Sequence, residues 1–424
     1  MAVGVGIADF GAGFIHYRPG VVKTLNNTSP ARAIPLGKIQ WEGDKLLWKV
    51  QTFRNGSISN TLDGGSLPAA GQQGFADAES FSKFIIGTVQ ISDGVLARAK
   101  STKKAAVAVL RSELDGLTEG IRKWENYQFT RDGTGVMSLL DTAITAGAAT
   151  TTVYVDDARP LWDKKRYEIR TAGSPTTICG SFTVKSVARA VAAASSSATK
   201  RKIAVTTDSF SLTTSAAAGD YISWGDGDDA SYGIAWTGLD ALINDGTSGT
   251  FQSMDLSLYP RYTSPVQDNG GVERPLIPKL FRNQLAMIKQ ESGQEAGRDI
   301  VVLTSVWDGI NVEELYEGEV RITPDTSIVG LVMPTFQTAL GKVRIMTDPD
   351  SPYGKMFFID RNEISRSVNQ ELDWRKSDGG GIMERSNSFL GYVANAVEIS
   401  EMVIDQRNRC GKIEDLKVTV KSSY

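Results

Sequence analysis

The clearest hydrophobic periodicity in the chain runs through Val107, Leu110, Leu114, Leu117, Ile121 and Trp124, spaced 3, 4, 3, 4, 3. That spacing places one apolar stripe on an α-helix and predicts a helix over residues 103–128. Arg111, Glu113, Glu119, Arg122 and Lys123 occupy the other faces, so the helix is expected to lie across a sheet. Arg131-Asp132-Gly133-Thr134-Gly135 stops it, and Ser92-Asp93 caps an earlier helical piece. Ahead of the helix, Leu46–Arg54 (LLWKVQTFR) and Phe81–Ile91 (FSKFIIGTVQI) have strand composition. Between them lie Asn55-Gly56, Asp63-Gly64-Gly65, Leu67-Pro68 and Gly71 to Gly74, which read as the polar tip of a long hairpin. An isolated two-stranded ribbon is only marginally stable in water, so this one is expected to lie on another surface.

Residues 1–40 are rich in Gly, Pro and Asn. Through residue 50 they carry Arg18, Lys23, Arg32, Lys38, Lys45 and Lys49 against Asp9, Glu42 and Asp44, the pattern of an extended arm laid on a partner. From 140 to 235 the pattern changes to short β-prone runs separated by Gly, Ser, Thr and Ala, which reads as an inserted small β domain. Within it VYVDDA followed by RYEIR echoes IAVTTDS followed by DYISW, predicting two hairpin-like halves packed face to face. Beyond Trp236, helix-like and strand-like segments alternate. Helices are expected at Leu239–Asn244, Pro275–Gln290 and Ile310–Tyr316, and strands at Ile300–Leu303, Gly330–Val332, Val343–Met346, Met356–Asp360 and Glu363–Val368. The class is therefore mixed α+β with insertions.

Composition narrows the function. The chain has 424 residues, 41% hydrophobic and 22% charged, with mean hydropathy -0.18, which suits a folded protein of about two to four domains. No run of about 18 apolar residues spans a membrane, and the Met1-to-Gly6 start lacks a secretory pattern, so a cytosolic product is expected. A single histidine, His16, and two cysteines, Cys179 and Cys410, leave no zinc spacing and no disulfide framework. The same scarcity removes Ser-His-Asp and Cys-His catalysis unless His16 serves as the base.

The remaining chemical candidates are weak. The loop Gly225-Asp226-Gly227-Asp228-Asp229 fails the calcium-loop spacing at Ala230 and reads as a solvated turn. Asp156-Asp157 and Glu313-Glu314 are adjacent carboxylates that point in different directions. Lys164-Lys165-Arg166 and Lys200-Arg201-Lys202 are basic runs without interleaved aromatics, hence solvated loops. Glycines 4, 6, 11 and 13 give no dinucleotide fingerprint, and no phosphate loop is present. No catalytic residue, cofactor or metal is expected. With 46 basic and 49 acidic residues, net charge -3, no overall field would hold a nucleic acid.

The order of arm, long hairpin, one-stripe helix and α+β domain resembles the Hong Kong 97-like major capsid proteins of tailed phages. FTRDGTGVMSLL (Phe129–Leu140) is similar to the family's helix-ending turn. MFFIDRNEISRSVNQELDWRKSDGGGIMERSNSFLGYVANAV (Met356–Val397), followed by Gly411–Leu416, is similar to its closing region. The resemblance implies an N-terminal arm (1–40), an extended β-hairpin loop (41–91), a peripheral domain with the spine helix (92–139), the inserted β domain (140–235), an axial domain (236–345) and returning peripheral strands (346–424). It further implies a subunit that self-assembles into pentamers and hexamers, forming an icosahedral shell around double-stranded DNA that it does not read. Other partners would be a portal and separate scaffolding or decoration proteins, with no membrane. The place would be the virion capsid, assembled in the bacterial host cytoplasm. On that reading Trp48, Phe53, Arg54, Leu67, Pro68, Phe75 and Phe81 of the hairpin are inter-subunit contacts. About 40 residues ahead of the hairpin are too few for the long helical leader that some relatives carry. Some relatives also weld subunits through a hairpin lysine and a neighbour's asparagine, but no lysine lies between Gln51 and Ser82. The competing classes are a β-rich glycan-binding or hydrolytic protein and another phage structural component such as a tail protein.

Overall fold

A computed structural model describes residues 41–63, 65–94, 103–147, 152–191, 203–225, 232–293, 300–316, 323–328, 331–338, 341–376, 382–386 and 390–417. In chain order the strands are β1 (Trp41–Glu42), β2 (Lys45–Phe53), β3 (Gly74–Phe81), β4 (Lys83–Ser92), β5 (Val136–Leu139), β6 (Thr152–Val155), β7 (Arg166–Thr171), β8 (Ser174–Val191), β9 (Ile203–Leu212), β10 (Tyr221–Trp224), β11 (Thr250–Phe251), β12 (Met254–Asp255), β13 (Val266–Gln267), β14 (Ile300–Thr304), β15 (Thr323–Ile328), β16 (Leu331–Thr338), β17 (Gly341–Thr347), β18 (Met356–Asp360), β19 (Ile364–Trp374), β20 (Glu384–Arg385), β21 (Gly391–Ile404) and β22 (Gly411–Ile413). The helices are α1 (Lys103–Phe129), α2 (Leu239–Leu242), α3 (Pro278–Ser292) and α4 (Val306–Tyr316). The chain divides into two compact units.

The first unit comprises Met1–Leu47, Ser80–Asn126 and Arg366–Glu401. Its sheet joins β19, β21 and β20, with β4 antiparallel to β21 from Lys83 to Ser92. Along β4, Ile85, Val89 and Ile91 are buried while Phe84 and Ile86 are exposed, the period-two pattern of a sheet with one covered face. The stripe of α1 supplies the cover: a Cβ built on Gly87 would come within 2.7 Å of Ile121 Cδ1 and 3.0 Å of Leu117 Cδ1. Ala394 and Ala396, opposite Val89 and Gly87, are buried too, so small residues bed the helix. Within the stripe Ile121 is buried, whereas Leu114 and Leu117 are half-buried. The side chains of Val107 and Leu110 lie outside the described residues.

The second unit comprises Trp48–Glu79, Tyr127–Ser365 and Met402–Tyr424. One part is a seven-stranded sheet in the order β13-β22-β18-β14-β17-β16-β15, with β14 parallel to β17 and antiparallel to β18. Leu280, Phe281, Leu285 and Ile288 of α3 and Val312 of α4 pack on Val302, Val343, Ile345, Met356 and Phe358 of this sheet. Central β14 and β18 are buried at every position, as expected of strands covered on both faces.

The other part is a β-barrel. Its strands run β5-β10-β7-β8-β9-β6, and an antiparallel bridge between Leu140 and Val155 joins the two ends. Asp141 N donates to Tyr154 O at 2.9 Å and Asp156 N to Leu139 O at 3.1 Å across that seam. Alternate apolar side chains, among them Val153, Val155, Tyr167, Ile169, Phe182, Val184, Val205 and Ile222, are buried. The eighteen-residue β8 pairs with both β7 and β9, its register shifting at several points as it bends around the closure.

Three expectations change. The ribbon's return strand is β3, not Phe81–Ile91: after Ser82 the chain passes into β4, which pairs with β21. GFADAESF escapes a composition reading because Gly, Ala, Asp and Glu are poor strand formers. The two echoing halves do not stack face to face, since β6 pairs with β9 and β7 with β10 inside one barrel. Of residues 346–424, only 366–401 belong with β4's sheet. β18 and β22 lie in the seven-stranded sheet, where a doubly buried MFFID strand needs cover on both faces. The helical piece after Ser92 falls mostly outside the described residues.

Candidate inter-subunit surface

The ribbon is built by β2 and β3 and gripped at its base. Trp48, Val50, Ala76 and Ala78 pack with Met254, Leu256 and Tyr262, so one face of the ribbon completes a small apolar core. The grip is a two-residue turn between β11 and β12. Gln252 and Ser253 both take left-handed φ, 48° and 61°, the geometry a tight hairpin needs and that glycine or asparagine usually provides. The strained turn presents Gln252 O to Glu79 N at 3.0 Å, and Ser253 Oγ donates to Glu79 Oε1 at 2.9 Å. The Lys49–Asp77 pair, 3.6 Å apart and solvated, adds little.

Beyond the base the ribbon narrows to a closed loop. The Phe53 ring lies where a side chain on residue 74 would stand: a Cβ on Gly74 would be 2.0 Å from it. Asn55 Nδ2 donates to Gly71 O at 2.9 Å, while its Oδ1 accepts from Ser57 N at 2.9 Å and Ser57 Oγ at 2.6 Å. These ties hold the mouth of the loop and leave its apolar side chains in water. Ile58, Leu62 and Leu67 are 87%, 88% and 90% exposed, and Phe53 and Phe75 are 59% and 57% exposed. Isolated exposed leucines need no explanation, but three large apolar groups on one loop, flanked by Phe53 and Phe75 on the strands that lead into it, do.

Of the sequence-predicted contacts, Phe53, Arg54, Leu67, Pro68, Phe75 and Phe81 are exposed. Trp48 is instead half-buried against the chain's own Met254–Tyr262 segment, where it anchors the ribbon. Phe81 sits at the base, with Lys45 Nζ 4.9 Å from its ring centre. The grip at Gln252-Ser253 gave no sequence signal, because neither residue type marks a left-handed turn.

The other candidates disperse. Asp156 accepts from Ser138 Oγ at 2.6 Å and Leu139 N at 2.7 Å, whereas Asp157 turns to Arg131 and Arg159, so the two carboxylates serve different partners. Burial pushes the Asp156 carboxyl up. Burial would raise Asp157 as well, but Arg159 and Arg131 outweigh it and hold the group well below the carboxylate range. Glu313 and Glu314 are exposed on α4. Lys165 Nζ lies 4.4 Å from the Trp224 ring centre, and Trp224 meets Trp162 edge-on at 5.4 Å, so the fold brings indoles to a basic run that has no aromatics interleaved. Asp226–Asp229, Lys200–Lys202 and His16 lie outside the described residues. Cys179 and Cys410 are buried and unbridged, and burial pushes the Cys410 thiol up to about 12. Among the described residues no helix is long and apolar enough to cross a membrane.

No family model matches the chain, and no curated protein does. Solved structures do. The cyanophage A-1(L) capsid asymmetric unit aligns over 94% of this chain and 95% of its own, with 13% identity and a TM-score of 0.53. The capsid of Myoviridae phage XM1 aligns over 95% and 96%, with 8% identity and a TM-score of 0.43. An encapsulin complex from Synechococcus elongatus aligns over 99% of both chains, with 7% identity and a TM-score of 0.46. At such identities a likeness speaks for architecture, and the cyanophage alignment spans nearly all of it. The chain has the Hong Kong 97-like capsid fold, an α+β architecture with a β-ribbon, a long helix on a small sheet, and a larger mixed sheet.

Proposed function

We propose that this chain is the major capsid protein of a tailed phage: copies associate through their ribbons into pentamers and hexamers that close an icosahedral shell around double-stranded DNA. The observation that carries the reading is the ribbon loop beyond Phe53, which holds Ile58, Leu62, Leu67 and Phe75 in water. Burying each such side chain contributes roughly 1.5–3 kcal/mol, and a second copy is a partner always present at matching concentration. Near charge balance supports enclosure of nucleic acid rather than coating, because coating by counterion release needs a basic excess. The role is structural rather than enzymatic. A portal and separate scaffolding or decoration proteins would be its other partners, and it would act in the virion capsid after assembly in the host cytoplasm. Sedimentation and negative-stain microscopy of the expressed protein test this. Closed particles of many megadaltons are expected; a protein that stays a monomer when concentrated alongside its phage's portal and scaffold would refute the reading.

A further inference from the structure

A first linker, 131–135, leads from α1 into the β-barrel. A further tie lies on the barrel's β6–β7 connection. The Asp157 carboxylate accepts from Arg159 Nε at 2.9 Å and Nη2 at 2.7 Å, a two-pronged pair, and from Arg131 Nη2 at 3.1 Å. Arg131 belongs to the first linker and lies over the Tyr127 ring at 4.4 Å. Arg159 reaches outward: Nη1 donates to Pro349 O at 2.7 Å, and its guanidinium lies 3.6 Å from the Tyr353 ring centre. Three segments remote in sequence, namely the end of α1, the barrel turn and the 349–353 loop beside the seven-stranded sheet, therefore meet at one carboxylate. A planar guanidinium that is fixed bidentately, hydrogen-bonded to a carbonyl and stacked on a phenol ring has little freedom left. The turn is braced from inside by Ser138 Oγ, which Asp157 N reaches at 3.2 Å and which donates to Asp156 Oδ1 at 2.6 Å.

We infer that Asp157, Arg131 and Arg159 form an orientation lock that holds the barrel at one angle on the seven-stranded sheet, a device distinct from whatever holds the barrel itself together. The inference rests on this geometry and not on the shell reading.

Spin labels at Asp208→Cys on β9 and Gln290→Cys on α3 test it in the full-length chain. Both sites are exposed, whereas the native Cys179 and Cys410 are buried. The parent should give one narrow distance distribution. Asp157→Ala should lose that single distance for a broad distribution, while hydrogen exchange at Val153, Ile169 and Val205 shows the barrel still folded. Arg159→Lys keeps the charge but removes the fork and the planar stack, and should broaden the distribution in the same way. An unchanged narrow distribution in both variants overturns the lock. So does a barrel unfolded in both, which would make Asp157 a folding residue and not an orienting one.

Discussion

Asp240 shows how a single side chain ties a four-residue helix to a sheet. Its carboxylate meets Lys355 Nζ at 2.7 Å and Lys412 Nζ at 2.8 Å, and Glu414 Oε1 closes the cluster at 3.0 and 3.1 Å. Burial alone would raise the Asp240 pKa, but the two ammonium groups outweigh it and hold the carboxyl well below its usual range. Arg407 braces α2 from its other end: it is buried, donates to the carbonyls of Ala241, Leu242 and Tyr262, and is pulled down to about 10 by burial. Because the folded pKa of Asp240 lies below its unfolded value, its stabilisation is complete above about pH 5 and drains away as pH falls toward the folded value. Asp240→Asn leaves Lys355 and Lys412 to share Glu414 alone and should cost about 1.5–3 kcal/mol at neutral pH, the worth of a charge-assisted bond. Urea unfolding followed from about pH 5 to about pH 3 should then show a flatter acid limb than the parent's, flatter rather than level because Asp157 titrates in the same sense. Parallel limbs would place the acid sensitivity elsewhere.

Among the elements, α1 and the ribbon make opposite use of apolar residues. α1 spends its stripe inside the unit, so Ile121→Ala should cost about 2–5 kcal/mol as a buried truncation. Leu114→Ala, at a half-buried position, should cost less, and Glu113→Ala should stay within about 0.5 kcal/mol. Chemical denaturation of the three variants reads that order, and equal losses would mean that the stripe does not face β4. The ribbon keeps its apolar groups outside, and its base is fastened independently of its tip. Replacing residues 58–70 by a short Gly-Ser turn should therefore leave subunit stability unchanged and abolish particle formation, because Phe53–Gly74 and the Met254–Tyr262 grip are untouched. Normal shells from that variant would remove the ribbon tip from assembly.

For the whole molecule, the ribbon offers few reactive groups with which to weld copies together. Lys49 is paired with Asp77 near the ribbon base, Lys83 begins β4, and no lysine stands between them. Both cysteines are buried. A shell built from this chain should be held by packing alone. Particles boiled in detergent should run as one band near 45.8 kDa, and a reductant-resistant ladder of multimers would contradict that expectation.

What the sequence determined by itself was local and periodic. The 3–4 spacing of Leu114, Leu117 and Ile121 fixes a helix with one covered face, because a helix of period 3.6 can bury that set only on one side. The apolar runs at Ile300, Val343 and Met356 likewise fix buried strands, and the Gly-rich 55–74 stretch fixes an extended tip, since its few apolar residues, Ile58, Leu62 and Leu67, follow neither a helix nor a strand period. Pairing between distant segments was decided only by the tertiary structure. GFADAESF becomes a strand because β2 and the Met254–Tyr262 core receive it, not through its own propensity. The barrel closes through a bridge between Leu140 and Val155, and the local Asp157–Arg159 pair meets Arg131 and Pro349 only once three segments converge. Trp48 shows the boundary most sharply: its strand position is written in the alternation of LLWKVQTF, but whether it meets its own chain or another depends on a turn two hundred residues away, at Gln252-Ser253. Hydrophobic period is carried by neighbours in sequence, whereas the partner of a buried face is set by whichever remote surface the completed fold brings to it.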